Sequence, residues 1–140
     1  MPSSARSFEK PDISRRFLVA DDDPILREMM QARLADRATT VVCVENGRDA
    51  WERLSREAFD LAIVDLGMPE LDGFALISHL RQTPRTIDLP IIVATSRNDS
   101  EAIERAFSAG ATSFVTKPVN WSLFSYQVKF VLRYEGGGTG

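Results

Sequence analysis

A short apolar run that ends in a single carboxylate is the feature that most constrains this chain. Leu61–Val64 contains no polar residue, and Asp65 follows it directly. Such a run is typical of a strand buried on both faces, as in a parallel sheet covered by helices. Gly67 and Pro69 then force a loop. Asp65 is therefore predicted at the carboxyl edge of a central strand, where open α/β sheets bind ligands; the alternative is that it only caps a turn.

The rest of the chain repeats this pattern of apolar strand, polar end and helix. Further strands are predicted at residues 17–20, 39–44, 91–94 and 113–116, each followed by apolar residues at helical spacing. The fourth helix is predicted from Asn98 to Ala109, and the fifth from an Asn120 cap to about Tyr134. Strand and helix alternate five times, which predicts an α/β fold with a doubly wound parallel sheet and helices on both faces.

Length, charge and cysteine content narrow the class of protein. A chain of 140 residues with a net charge of −3 is most simply one domain, and that charge argues against direct binding of nucleic acid. Cys43 is the only cysteine, which excludes an internal disulfide, and we expect it to be buried. No apolar run is long enough to span a membrane and the N-terminus does not resemble a signal peptide, so we expect a cytoplasmic protein without membrane contact.

Residue types at the two ends of the chain predict its boundaries. Residues 1–14 are polar and contain two prolines, so they are predicted to form a flexible arm. The domain is expected to cover residues 15–135. Residues 136–140 are almost all glycine and are predicted to form a flexible tail.

Polar residues follow the predicted strands and should meet along one edge of the sheet. They are Asp21–Asp23, Asp65, Thr95, Ser96 and Lys117. Crowded carboxylates repel each other, and a hard divalent cation such as Mg²⁺ relieves that repulsion. A carboxylate can also act as a nucleophile and form an aspartyl phosphate, while ammonium and hydroxyl groups position the phosphoryl oxygens. This edge is therefore suited to phosphoryl transfer.

Four segments in this order and spacing resemble the receiver domain of two-component response regulators. The resemblance covers about Arg16 to Tyr134 and implies a flavodoxin-like (βα)5 fold with strand order 2-1-3-4-5. The segments that carry it are Leu18–Pro24, Val64–Gly73, Leu89–Ser96 and Gly110–Pro118.

The resemblance assigns a role to each acid at the strand ends. Asp65 matches the phosphoacceptor and Asp22 the direct metal ligand. Asp21 matches a second acid that acts through water, and the backbone carbonyl of Gly67 would complete the protein ligands. The implied ion is Mg²⁺, with Mn²⁺ or Ca²⁺ able to occupy the same site. Asp23 is interpreted as a helix cap, because Pro24 already marks a helix start.

The resemblance also assigns the switch residues. Thr95 matches the switch hydroxyl and Lys117 the phosphate-binding lysine, while Pro118 should follow a cis peptide bond. Phe114 takes the place of the aromatic switch residue, where many relatives have Tyr. The alternative for Phe114 is an ordinary core aromatic.

The fifth predicted helix has more apolar surface than a core requires. One stripe should be buried, and it consists of Trp121, Phe124, Val128, Val131 and Leu132. A second stripe on nearly the opposite side is a candidate interface for a homodimer, through the fourth helix, fifth strand and fifth helix, or for an output domain. That stripe consists of Leu123, Tyr126, Phe130 and Tyr134; the alternative is that these rings only cover neighbouring side chains.

Three functions compete at this point. The first is a phosphorelay receiver that takes a phosphoryl group from a sensor histidine kinase or a phosphotransfer protein and catalyses only its own phosphorylation and dephosphorylation. The second is a phosphohydrolase with an Asp nucleophile, which usually needs a further Asp at the position that Gly67 occupies. The third is a phosphate-independent interaction module. His79 stands alone within a helix and is not expected to bind a metal, and a P-loop is absent from the sequence.

Overall fold

The structure is a computed structural model that describes residues 14–137, with side chains as far as Arg133. The predicted arm, apart from Ser14, and the last three residues of the predicted tail lie outside the described residues, as does the side chain of Tyr134. The last helix ends at Gly137, two residues into the predicted tail.

Within residues 14–137, five strands alternate with five helices, as the sequence predicts. The strands are β1 (Arg15–Ala20), β2 (Thr39–Val44), β3 (Leu61–Val64), β4 (Ile91–Thr95) and β5 (Ser113–Thr116). The helices are α1 (Pro24–Leu34), α2 (Gly47–Arg56), α3 (Gly73–Arg81), α4 (Ser100–Ala109) and α5 (Trp121–Gly137).

All the strand pairs are parallel, and the sheet order is β2-β1-β3-β4-β5. The flavodoxin-like fold and its strand order are therefore confirmed. Ala20 pairs with Val64 in the register of β1 and β3, so the residues after these two strands come out side by side. Val64 pairs in turn with Val93 of β4, which brings the end of β4 to the same edge.

Two apolar layers hold the helices on the sheet. Residues of β3 alternate between the layers, and all four are at most 2% exposed, which explains why its sequence shows no polar alternation. One layer packs β3 and β4 against α2, α3 and α4. The other packs the opposite face against α1 and α5 through Met30, Phe124 and Val128.

Short polar side chains cap the helices at the edge where the strands end. Asp23, Asn46, Asp72 and Asp99 each accept a hydrogen bond from a backbone amide in the first turn of the helix that follows. The predicted start of α4 at Asn98 is wrong, because Asp99 accepts from the Ala102 amide and the helix begins at Ser100. Gly110 ends α4 with a φ of 122°, a conformation that favours glycine.

One arginine joins three segments at the opposite edge of the sheet. The guanidinium of Arg81, at the end of α3, donates to the carbonyl oxygens of Thr86 and Ile87 at 3.1 Å each. It also donates to the carbonyl oxygen of Gly110 at 2.9 Å. The end of α3, the segment before β4 and the turn between α4 and β5 are thus held together.

Two residues considered from the sequence have limited roles. Cys43 is only half-buried, contrary to the expected full burial, because β2 is an edge strand; its thiol donates weakly to the Arg27 carbonyl at 3.7 Å. His79 is exposed, and its ring lies 5.6 Å from that of Trp51. Within residues 14–137, none of the helices combines the length and apolarity needed to cross a membrane.

Candidate functional site

Asp21 lies at the end of β1 and is almost completely buried. Its backbone amide donates to the Val44 carbonyl at 3.1 Å, which continues the ladder between β1 and β2 by one residue. Its Oδ1 atom accepts from the Asp23 amide at 2.9 Å, and its side chain is only 3% exposed. The carboxylate is therefore fixed in orientation and points into the edge of the sheet.

Asp65 lies beside Asp21 at the end of β3. Its backbone amide donates to the Ala20 carbonyl at 3.0 Å, so the two strand ends are directly joined. The first turn of α3 approaches this backbone so closely that a Cβ at Gly73 would lie 2.4 Å from the Asp65 carbonyl oxygen. The backbone of Asp65 is thus held by a strand on one side and by a helix start on the other.

The carboxylates of Asp21, Asp22 and Asp65 converge at this edge. One oxygen from each of them lies within 4.8 Å of the corresponding oxygens of the other two. Asp21 and Asp65 are buried, whereas Asp22 is exposed, so the cluster is open to solvent on one side. Three hard oxygen donors at this spacing fit the ligand preferences of Mg²⁺, which keeps several waters in its coordination shell.

Lys117, which directly follows β5, contacts two of the three carboxylates in the cluster. Its Nζ atom donates to Oδ2 of Asp21 at 2.7 Å and to Oδ2 of Asp65 at 3.2 Å. Its backbone amide donates to the Thr95 carbonyl at 2.9 Å, and the peptide bond to Pro118 is cis. The ammonium group thus bridges two carboxylates that would otherwise repel each other.

Burial and charge shift the pKa values of two groups in this cluster. Burial raises the pKa of Asp21, and the hydrogen bonds from Lys117 and from the Asp23 amide offset that rise only in part. Burial alone would lower the pKa of Lys117, but the hydrogen bond to Asp21 and the charges of Asp65 and Asp21 outweigh it and raise that pKa. Lys117 therefore stays charged at neutral pH.

Thr95 and Phe114 lie on the neighbouring strands β4 and β5, where Phe114 pairs with Val93, two residues before Thr95. Thr95 is 2% exposed, and its Oγ1 atom accepts from the Arg97 amide at 3.3 Å. Phe114 is half-buried, packs against the core layer of α3 and α4, and has its ring centroid 6.4 Å from that of Phe107. The hydroxyl is thus engaged in a local turn, and the aromatic ring is partly open to solvent.

The loop between β3 and α3 contains a strained residue. Glu70 has a φ of 73°, which is uncommon for a residue other than glycine. The Leu71 amide donates to the Pro69 carbonyl at 2.8 Å, so Glu70 is the central residue of a three-residue turn. Gly67, whose carbonyl is predicted to bind the metal, lies in the same loop, is exposed, and has open space where a Cβ would project.

Two arginines that sequence reasoning missed lie over one aromatic ring. The guanidinium carbon of Arg105 is 4.0 Å from the centroid of the Phe74 ring, and that of Arg97 is 5.9 Å from it. Arg97 also pairs with Asp99 at 3.4 Å. For Arg97, the position two residues after Thr95 is the only signal in the sequence.

The second apolar stripe expected on α5 is exposed wherever its side chains are described. Leu123, Tyr126 and Phe130 are exposed as predicted, at 56%, 69% and 61%. Leu123 lines a groove toward α4 and β5, whereas Tyr126 and Phe130 line a second groove toward α1. At 100° per residue, positions 123, 126 and 130 lie within about 60° of one another around the helix. The use of this stripe as an interface stays a prediction.

Sequence comparison identifies the family to which this arrangement belongs. Residues 17–127 match the family described as the response regulator receiver domain. The chain belongs to that family. Receiver domains of two-component response regulators bind Mg²⁺ at an acidic pocket, which corresponds here to the cluster of Asp21, Asp22 and Asp65.

Curated relatives of this receiver domain include short and long proteins. An uncharacterised 14.6 kDa protein of Leptolyngbya boryana is 37% identical over 104 residues, which are 74% of this chain and 79% of the relative. The virulence transcriptional regulatory protein PhoP of Salmonella choleraesuis is 34% identical over 122 residues, which are 87% of this chain and 54% of the relative. The receiver domain thus spans about half the length of the PhoP regulators.

Solved structures share the fold over most of this receiver domain. The signal receiver domain of a signal transduction histidine kinase from Syntrophus aciditrophicus is 33% identical with a TM-score of 0.78, over 85% of this chain and 90% of that one. The chemotaxis response regulator CheY4 of Vibrio cholerae is 26% identical with a TM-score of 0.79, over 84% and 98%.

Proposed function

We propose that this receiver domain accepts a phosphoryl group on Asp65, with Mg²⁺, from a sensor histidine kinase or a phosphotransfer protein in the cytoplasm. One observation carries the proposal. The Asp65 carboxylate shares a solvent-open cluster with the carboxylates of Asp21 and Asp22, and the ammonium of Lys117 lies 3.2 Å from it. The proposed nucleophile Asp65, oxygen donors for a cation and the positive charge of Lys117 are therefore adjacent.

The residues that would hold the ion follow from their positions. Asp22 and Asp65 would bind it directly, Gly67 would contribute its backbone carbonyl, and the buried Asp21 would act through water. When bound, the ion supplies positive charge that offsets repulsion between the carboxylates and the incoming phosphoryl group. Mn²⁺ or Ca²⁺ would fit the same oxygen donors.

The chemical step uses Asp65 as nucleophile. A carboxylate oxygen forms a bond to phosphorus while the phosphorus–nitrogen bond of the donor phosphohistidine breaks, and the released imidazole takes up a proton. Lys117 then shifts its ammonium from the carboxylates to a phosphoryl oxygen. Attack of water on the acyl phosphate releases inorganic phosphate and restores the Asp65 carboxylate, so the domain is a signalling module with a covalent state.

The output of this step depends on Thr95 and Phe114. The Thr95 hydroxyl would leave the Arg97 amide, to which it is bonded at 3.3 Å, and donate to the phosphoryl group. Phe114 would then move into the vacated space and change the surface of α4, β5 and α5, on which Leu123 and Phe107 are exposed. This shift between two populated states would control an output domain, a partner or a homodimer.

Two other functions have less support. A phosphohydrolase with an Asp nucleophile would need an acid two residues after Asp65, and Gly67 occupies that position. A phosphate-independent module would not need Lys117 to bridge Asp21 and Asp65 at 2.7 and 3.2 Å.

Labelling with acetyl phosphate tests the proposal. Radiolabelled acetyl phosphate with Mg²⁺ should label the wild type but not the Asp65→Asn variant. Asp72→Asn is the matched control, because it lies in the same loop and Asn caps a helix as well as Asp does; it should label like the wild type. If the wild type takes no label, or Asp65→Asn retains it, the proposal is wrong.

Thermal unfolding tests the metal site separately. Mg²⁺ at about 100 times its dissociation constant should add about 2.7 kcal/mol to the free energy of unfolding. The Asp22→Asn variant should lose most of this gain, whereas Asp72→Asn should keep it. An equal gain in Asp22→Asn would contradict the proposed ligand set.

A further inference from the structure

A second groove lies between α1 and α5, at the edge of the sheet opposite the acid cluster. It is lined by the starts of β1 and β2, the end of α1 and one flank of α5, and it has a volume of about 1080 Å³. Its walls are mainly apolar and include Leu34, Val128 and Leu132, while Tyr126 stands at the rim with 69% of its surface exposed. The phosphoryl transfer proposed at Asp65 uses none of the residues that line this groove.

The groove is basic in a protein with a net charge of −3. Four cations line it, Arg15, Arg33, Lys129 and Arg133, against one acid, Asp36. Within residues 14–133, none of these cations forms an ion pair with a carboxylate. A local excess of positive charge on an acidic protein attracts an acidic partner and accelerates its association.

Two of the cations lie against aromatic rings, one of which, Tyr126, lines the groove. The guanidinium carbon of Arg33 is 5.3 Å from the centroid of the Trp121 ring, and the Nζ atom of Lys129 is 5.8 Å from that of Tyr126. Such contacts hold a cationic head beside an apolar surface at little cost in solvation. A ligand in this groove would therefore meet apolar walls and positive charge together.

We infer that this groove binds an acidic, amphipathic segment of a partner protein, whose apolar side chains insert between α1 and α5 and whose carboxylates pair with Arg33 and Lys129. The inference does not depend on phosphorylation of Asp65. The charge pattern decides against a second copy of the chain, because a two-fold interface at this groove would place like charges opposite each other. The apolar walls favour a peptide over single-stranded nucleic acid, which needs a row of aromatic stacking platforms.

Fluorescence anisotropy with a labelled synthetic peptide tests the inference. The probe is an acidic peptide of about 18 residues with Leu at helical spacing and Glu elsewhere, and its counterpart replaces every Leu with Ser. The full chain should bind the Leu peptide at least about tenfold more tightly than the Ser peptide. Added salt should weaken the binding.

Matched variants locate the binding site. Lys129→Glu and Arg33→Glu should each weaken binding at least about tenfold, whereas Arg48→Glu, on exposed α2, should bind like the wild type. Tyr126→Ser should weaken binding, and Leu123→Ser, which does not line this groove, should not. Acetyl phosphate labelling of all these variants at wild-type level verifies that the active site is intact and separates this test from the proposed function.

Each of the remaining outcomes overturns the inference. They are absence of binding to the wild type, equal weakening by Lys129→Glu and Arg48→Glu, tighter binding of an oligothymidine probe of matched charge, and a groove-dependent dimer in light scattering that excludes the peptide.

Discussion

The α-carbon of Gly47 faces the backbone carbonyl of Leu71 so closely that a Cβ at position 47 would lie 1.8 Å from that oxygen. The Gly47 amide also donates to the Pro69 carbonyl at 3.4 Å. The start of α2 therefore rests directly on the loop that carries Gly67 and leads into α3. Any side chain at position 47 would displace that loop.

Gly47→Ala should therefore lower the free energy of unfolding by about 2 kcal/mol or more, because the clash is with backbone and cannot be relieved by a rotamer change. It should also weaken Mg²⁺ binding, since the loop carries the proposed carbonyl ligand. Gly67→Ala is the control, because nothing lies within 4 Å of a Cβ there. Urea unfolding and Mg²⁺ titration of both variants make the comparison, and similar values for the two would contradict this account of the loop.

Glu70→Gly should stabilise the protein by about 1 kcal/mol, because relief of the positive φ exceeds the extra chain entropy of glycine. Glu70→Gln keeps the strain and removes the charge, so its free energy of unfolding should stay within about 0.5 kcal/mol of the wild type. If the Gln variant gains as much as the Gly variant, charge rather than backbone strain is the cause. Urea unfolding of the three proteins measures the difference.

The stability of Asp21→Asn relative to the wild type should depend on pH. Burial raises the pKa of Asp21 above 3.8, so the folded state binds a proton here more tightly than the unfolded state does. The contribution of Asp21 to stability is thus most favourable at acid pH and falls as pH rises through the folded pKa. In metal-free buffer, the Asn variant should therefore gain on the wild type between about pH 4 and pH 7.

The measurement for this prediction is urea unfolding across that pH range with EDTA present. Asp88→Asn removes the same charge at an exposed position and serves as the control. A flat difference between Asp21→Asn and the wild type would show that Asp21 does not titrate differently in the folded and unfolded states.

Ile25→Ser should slow phosphotransfer from a protein donor about tenfold, the loss expected when one apolar anchor is removed from an interface. Ile25 is 66% exposed in the first turn of α1, three residues after Asp22, so a donor that reaches the acid cluster must cover it. Labelling by acetyl phosphate needs no such contact and should stay at wild-type level. Ile87→Ser, 50% exposed at the opposite edge of the sheet, should transfer like the wild type, and an equal loss there would exclude a docking role for Ile25.

The sequence alone predicts that the residues at the strand ends lie close together, because a parallel sheet aligns the carboxyl ends of its strands. Asp21, Asp65, Thr95 and Lys117 each follow or end a predicted strand, and that position alone places them on one edge. Patterning could not show that Lys117 lies closer to Asp21 than to Asp65, because such a difference depends on ångström-scale packing.

Other features of the structure have no local sequence signal. Glu70 adopts a positive φ although Glu is a poor residue for it, because the contact between Gly47 and Leu71 restrains the loop from outside. The sequence does not define the start of α4, because Asn98 and Asp99 are both good capping residues and only the hydrogen bond from the Ala102 amide to Asp99 distinguishes them. The groove between α1 and α5 joins residues from both ends of the chain, so no single window of sequence contains it.

The hydrogen bond from Arg81 to the Gly110 carbonyl fixes the C-terminal end of α4. The last turn of α4 is thus held at Gly110, about which the helix can pivot, whereas its first turn depends on the exposed Asp99 cap near Thr95. A small shift of the Thr95 hydroxyl is therefore expected to swing the free end of α4 most and leave its far end nearly stationary. A signal at the acid cluster would thus be amplified with distance from Gly110.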